Sequence, residues 1–191
     1  MRVISFAWEY PGVGAVLTDL RYAILSIHSA LSSRGVEALL VTPEGFGSIP
    51  SDASPRKLTL SVKDYPNVVS YGLSIAHEVA SALRYITDGY FDKVLCFEWG
   101  GCLMGSLARA SQPCCMGSSL DCIVLSTEFE RGDPLGNILS SSISSIEGWV
   151  FNQCRRIFTT SEQAYKSLIS RYGLNAELAY SLRDVVEAIL K

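Results

Sequence analysis

Residues Leu20–Thr42 read LRYAILSIHSALSSRGVEALLVT, and this stretch decides the fold. Leu20, Ile24, Ile27 and Leu31 recur at spacings of four, three and four, the apolar stripe of a helix lying against a core. Arg34-Gly35 closes that helix, because glycine accepts the left-handed conformation in which helices end. Val36 to Thr42 is then a near-continuous apolar run, the pattern of a strand covered on both faces. A helix feeding directly into such a strand is part of a βαβ unit.

Working outward, the same alternation repeats. Val3 to Ala7 is a short apolar strand before a loop holding Pro11, Gly12 and Gly14. Residues 43–55 are rich in Gly, Ser and Pro and read as a loop, and Leu58 to Val62 as a strand. Asp64-Tyr65-Pro66 suits a helix start, with Val69, Leu73, Ala76, Ala80 and Leu83 as the buried stripe of a helix ending near Thr87. Lys93 to Phe97 is a strand, followed by a Gly100-Gly101 turn and a small-residue helix to about Ala110. Cys122 to Ser126 is a strand. Leu139, Ile143, Ile146 and Val150 repeat the four-three-four spacing, which makes the surrounding serines the wet face of a helix. Arg156 to Thr160 is a strand, Ser161 caps a helix through Tyr172, and Gly173 ends it. Ala176 to Tyr180 and a helix opened by Ser181-Leu182-Arg183-Asp184 close the chain, with Val185, Val186, Ile189 and Leu190 on the apolar side. The expected fold class is α/β: a single three-layer Rossmann-like domain over residues 1–191 with a mostly parallel sheet, 176–191 being its closing strand and helix.

Composition agrees with one well-packed domain. The chain has 191 residues, 48% hydrophobic and 18% charged, which excludes a disordered polymer. Sixteen Lys+Arg against nineteen Asp+Glu leave a net charge of -3, so nucleic acid gains no general attraction. The apolar segment Arg2 to Ala7 is too short for a signal core or a membrane span, and the expected location is cytoplasmic. The six cysteines (Cys96, Cys102, Cys114, Cys115, Cys122 and Cys154) include no C-x-x-C pair, and no histidine lies near them in sequence. The spacing therefore predicts buried free thiols and no metal site. His28 and His77 fall mid-helix, away from any strand end.

In a parallel sheet, ligands bind beyond the carboxyl ends of the strands where strand order reverses. Three segments there carry chemistry. Trp8-Glu9-Tyr10-Pro11-Gly12-Val13-Gly14 follows the first strand, and its glycines can hold a phosphate through backbone amides. The dinucleotide fingerprint fails, because its third glycine falls on Leu17. Glu98-Trp99-Gly100-Gly101 sets a carboxylate beside an indole, a pairing suited to sugar hydroxyls and ring faces and equally to a loop acid beside a packing tryptophan. Thr127-Glu128-Phe129-Glu130-Arg131-Gly132-Asp133 gathers hydroxyl, carboxylate and guanidinium groups, a site edge or simply a solvated loop.

These segments resemble the N-terminal, acceptor-side domain of GT-B glycosyltransferases, the glycogen/starch synthase and family 4 group. Trp8-Glu9-Tyr10-Pro11, Arg34-Gly35-Val36-Glu37 and Val41-Thr42-Pro43 are similar to that group's "WEYPP … RGHEV … VTP". Phe91 to Trp99 is similar to "FDVVHAHDW", and Ser126-Thr127-Glu128-Phe129 with Ile146-Glu147-Gly148-Trp149 to "HSTEF … IEWW". Phe158 to Ser161 and Tyr172-Gly173-Leu174 resemble "VITVSEYM … RYGL". The resemblance implies a substrate-binding edge of Glu9, Gly14, Glu98, Trp99, Thr127 and Glu128, with no catalytic residue, metal or cofactor assigned.

The departures bear on function. The group's Gly-Gly loop falls on Gly14-Ala15 or Thr18-Asp19, and two motif histidines are replaced by Phe97 and Leu125, which cannot hydrogen-bond a sugar through their side chains. The donor-side domain, with its E-x7-E pair, is absent from the sequence. The implied function is a glycosyltransferase-like domain that binds a saccharide or a partner chain without catalysing transfer alone; the alternative is the acceptor-side subunit of a split enzyme. Expected partners are a saccharide or nucleotide sugar, a separate donor-domain chain and a second copy of this chain, with no nucleic acid and no membrane.

Overall fold

The computed structural model describes residues 1–8, 16–43, 56–60, 67–86, 89–127 and 137–191. Among these residues seven strands form one sheet in the order β3-β2-β1-β4-β5-β6-β7, and every pairing is parallel. They are β1 (Arg2–Ala7), β2 (Glu37–Pro43), β3 (Arg56–Leu60), β4 (Lys93–Phe97), β5 (Ser119–Ile123), β6 (Arg156–Thr159) and β7 (Glu177–Leu178). The described helices are α1 (Val16–Ser32), α2 (Val68–Ile86), α3 (Glu98–Ser111), α4 (Asn137–Phe151), α5 (Glu162–Ser170) and α6 (Leu182–Ile189). This is the expected Rossmann-like α/β domain. Strand order reverses between β1 and β4, which puts the crevice for a ligand at their carboxyl ends.

Alternation along each strand feeds two separate cores. Val3 and Ala7 join Leu95, Phe97, Ile123 and Phe158 beneath α1 and α6. Ile4, Phe6 and Trp8 join Val94, Cys96 and Cys122 beneath α2, α3, α4 and α5. The stripe of α1 is buried as its spacing requires, with Leu20, Ile24, Ile27 and Leu31 all inaccessible. Gly35 takes φ +71° and ends that helix. Ser161 Oγ accepts from Ala164 N at 3.1 Å, and Ser181 Oγ from Asp184 N at 3.3 Å, so both predicted caps are present.

Several expectations need correction. The Gly100-Gly101 pair makes no turn: α3 begins at Glu98 and both glycines lie inside it. They are there for space, since a Cβ on Gly101 would stand 2.3 Å from the Phe6 carbonyl oxygen and one on Gly100 1.8 Å from the Trp8 ring. Of the expected α2 stripe, Ala76, Ala80 and Leu83 are buried but Leu73 is exposed, and Val68, Tyr71, Ile75 and Val79 complete the buried face. β5 begins and ends three residues before the expected strand, and β7 is only two residues long. The expected helix start at 64–66 and the loop at 44–55 lie outside the described residues.

Candidate functional site

At the reversal point the chain makes one abrupt turn. Phe97 ends β4 in extended conformation, and Glu98 opens α3 with φ +58°, a left-handed value uncommon for a residue with a side chain. The turn is held by the Glu98 carboxylate: Leu125 N–H and Ser126 N–H donate to Oε1 at 2.8 and 3.3 Å. One acid thus brackets the end of β4 to the segment leaving β5. Charge-assisted bonds of this kind are among the stronger ones available to a buried group.

Trp99, the next residue, turns inward. It is 4% exposed and meets Trp8 edge to face, with ring centroids 4.7 Å apart at 85°. Tyr71 completes the cluster 5.6 Å from Trp8. The expectation that the Trp99 indole covers a sugar ring is therefore replaced: its neighbours are Trp8 and Gly72, whose missing Cβ leaves room for the ring. Thr127 is also buried, and its Oγ1 shares a hydrogen bond with Ser167 Oγ at 2.9 Å, tying this edge to α5. The structure brings Glu98, Trp99 and Thr127 to the carboxyl edge, where each holds the framework from beneath. Glu9, Gly14 and Glu128 lie outside the described residues.

Other polar groups were not singled out by sequence. Glu147 is fully buried on α4 and accepts from the Tyr172 hydroxyl. Asp121 is buried on β5 and paired with Arg156, whose Nε lies 3.3 Å from Oδ1. His28 is buried on the inner face of α1 with Nε2 2.6 Å from Ser5 Oγ, and burial pulls its pKa down to about 4. His77 is exposed on α2. The cysteines Cys102, Cys122 and Cys154, which have no metal-ligand spacing in sequence, have sulfurs within 4.8 Å of one another. Only the sheet order could have revealed that, since the three come from α3, β5 and the turn after α4. No helix among the described residues is long and apolar enough to cross a membrane.

No protein-family profile matches the sequence, and no curated protein does. Solved structures do match. The lipopolysaccharide outer core galactosyltransferase WaaB superposes with TM-score 0.58 at 12% identity, over 93% of this chain and 45% of that one. A putative UDP-N-acetylglucosamine 2-epimerase from Listeria monocytogenes gives 0.56 at 12%, over 92% and 43%. S. aureus MnaA, solved with UDP, gives 0.54 at 13%, over 93% and 43%. At these identities the likeness is one of fold: the chain has the architecture of a GT-B-type half, and it spans under half the length of each of these proteins.

Proposed function

We propose that this chain is a glycosyltransferase-like half-domain, related to glycogen synthase, that binds a saccharide or nucleotide sugar at the carboxyl edge of its sheet and does not carry out transfer alone. The observation that supports it most is the shared fold itself, matched over nearly all of this chain to part of a galactosyltransferase and of a protein solved with UDP. Within that frame, Glu98, Trp99 and Thr127 shape the edge from beneath, and ligand contacts fall to Glu9, Gly14 and Glu128. Lack of turnover is argued from two replacements: hydrophobic Phe97 and Leu125 stand where the resembled motifs place imidazoles, and losing one such polar group costs about 10²–10³ in rate. A saturable rise in Tm with UDP, UDP-glucose, ADP-glucose or maltooligosaccharides tests binding. Ligand at a hundred times Kd adds about 2.7 kcal/mol of stability. Hydrolysis or transfer of a nucleotide sugar by the purified chain alone overturns the reading.

A second reading is the acceptor-side subunit of a split enzyme, because the chain matches part of each structural relative and a donor-side lobe on a separate polypeptide would complete it. Copurification with a chain bearing E-x7-E, and transfer activity only in the mixture, is the expected outcome. A stable solitary monomer or homodimer under native conditions counts against it. Light scattering across concentrations separates those two states.

A further inference from the structure

We infer that Cys102, Cys122 and Cys154 form a thiolate site for one soft d¹⁰ cation of the zinc(II) or copper(I) kind, with Cys96 behind them as a fourth sulfur. Three elements deliver the ligands. Cys102 comes from the first turns of α3, Cys122 from β5, and Cys154 from the turn between α4 and β6. The Cys102 thiol points at Cys122 Sγ at 2.8 Å, and its sulfur lies 3.8 Å from that of Cys154. Around a tetrahedral zinc, Zn–S bonds of about 2.3 Å set sulfur–sulfur separations near 3.8 Å. The second distance already fits, and the first opens by about 1 Å when an ion enters. Cys96 stands opposite Cys122 in the β4–β5 register.

The surroundings suit an ion that prefers sulfur. No carboxylate or imidazole belongs to the group, and soft ligands of this kind select zinc and copper(I) over magnesium or calcium. Cys102 and Cys122 are fully buried, while Cys154 is half-buried and gives the ion a way in. Binding displaces the thiol protons to solvent: one zinc(II) or copper(I) ion and three thiols yield the trithiolate complex and three protons. The Arg109 guanidinium acts on Cys96 and Cys154 and offsets the negative charge left with zinc; the nearby Asp121 is already paired with Arg156.

The test uses the whole chain, reduced and metal-free under argon, titrated separately with zinc(II), with copper(I) and with cobalt(II) as a spectroscopic probe. One equivalent of zinc or copper is expected to bind, the two arms identifying the ion, and cobalt should give sulfur-to-metal charge-transfer absorption. Cys154→Ser should weaken binding at least about tenfold, the scale of losing even a group behind a ligand. Cys114→Ser, outside the group, should not. In the wild-type chain, bound metal should also protect these thiols from alkylation, a readout that needs no variant. Failure of both ions to bind stoichiometrically, equal affinity in Cys154→Ser, or a Cys102–Cys122 disulfide forming with no metal uptake would each overturn the site.

Discussion

The two faces of the sheet are built from different chemistry. Beneath α1 and α6 the core is mostly aliphatic, with Phe97 and Phe158 among its buried members, and its polar groups are a few fixed pairs: His28 with Ser5, and Asp121 with Arg156. Beneath α2, α3, α4 and α5 it is aromatic and sulfur-rich, with Trp8, Trp99, Tyr71, Met104 and five of the six cysteines in its buried cluster and the sixth, Cys154, against it. Here α3 comes close enough to β1 that glycine is required at 100 and 101. The first face holds the sheet together. The second underlies the strand-order reversal and contains both the Glu98 bracket and the thiol group, so candidate chemistry and tight packing share one layer.

The contrast can be broken most strongly on the aliphatic side. Arg156 pairs with Asp121, whose side chain is 1% exposed, and also donates to the Ala188 carbonyl at 2.7 Å. Replacing it by alanine leaves a buried charge alone and should cost about 3–5 kcal/mol in denaturant unfolding. Substitution of Arg34, whose partner Glu187 is half-exposed, should cost well under 1 kcal/mol.

His28 comes next. Its pKa falls from 6.5 in the unfolded chain to about 4 in the fold, so the folded state refuses a proton that the unfolded state accepts. Stability is complete above pH 6.5 and declines as pH falls from there toward 4, by about 3 kcal/mol in all. The slope of unfolding free energy against pH should flatten over this window in His28→Gln.

On the packed side, Gly101→Ala forces a methyl against the Phe6 backbone and should cost about 3 kcal/mol, because a main-chain oxygen cannot rotate away. A smaller effect tests the opposite kind of glycine. Gly35 has open space around it but φ +71°, so Gly35→Ala should cost only about 1 kcal/mol, all of it backbone strain. If the two alanines cost the same, crowding is not what fixes the α3 glycines.

The aliphatic face was the more legible in sequence. A helix with one apolar stripe, as in α1, has a single way to lie down, and Leu20 to Leu31 announced it. In α2 the expected Ala76, Ala80 and Leu83 do lie on the buried face, but spacing alone did not separate Leu73, which is exposed, from Tyr71, Ile75 and Val79, which are buried beside them. Gly100-Gly101 looked like a turn because sequence does not distinguish glycine needed for conformation from glycine needed for room. Glu98 and Trp99 directly follow β4, while Thr127 lies four residues past the end of β5, and whether such a position buries a side chain or presents one is decided by the neighbouring elements. The thiol group was invisible for the same reason: Cys102 lies 20 residues from Cys122 and 52 from Cys154, and only the β4-β5-β6 order joins them.

The position of β1 in the middle of the sheet has a consequence for how the chain is made. Its first partner, β2, leaves the ribosome soon after it, but Val3 must wait for Lys93 before its other edge is occupied. During that interval a largely apolar ribbon is paired on one side only. Pairing across so long a stretch of chain is slow, and exposed strand edges invite association with other nascent chains. Newly synthesised protein should therefore be most dependent on chaperones before β4 has emerged.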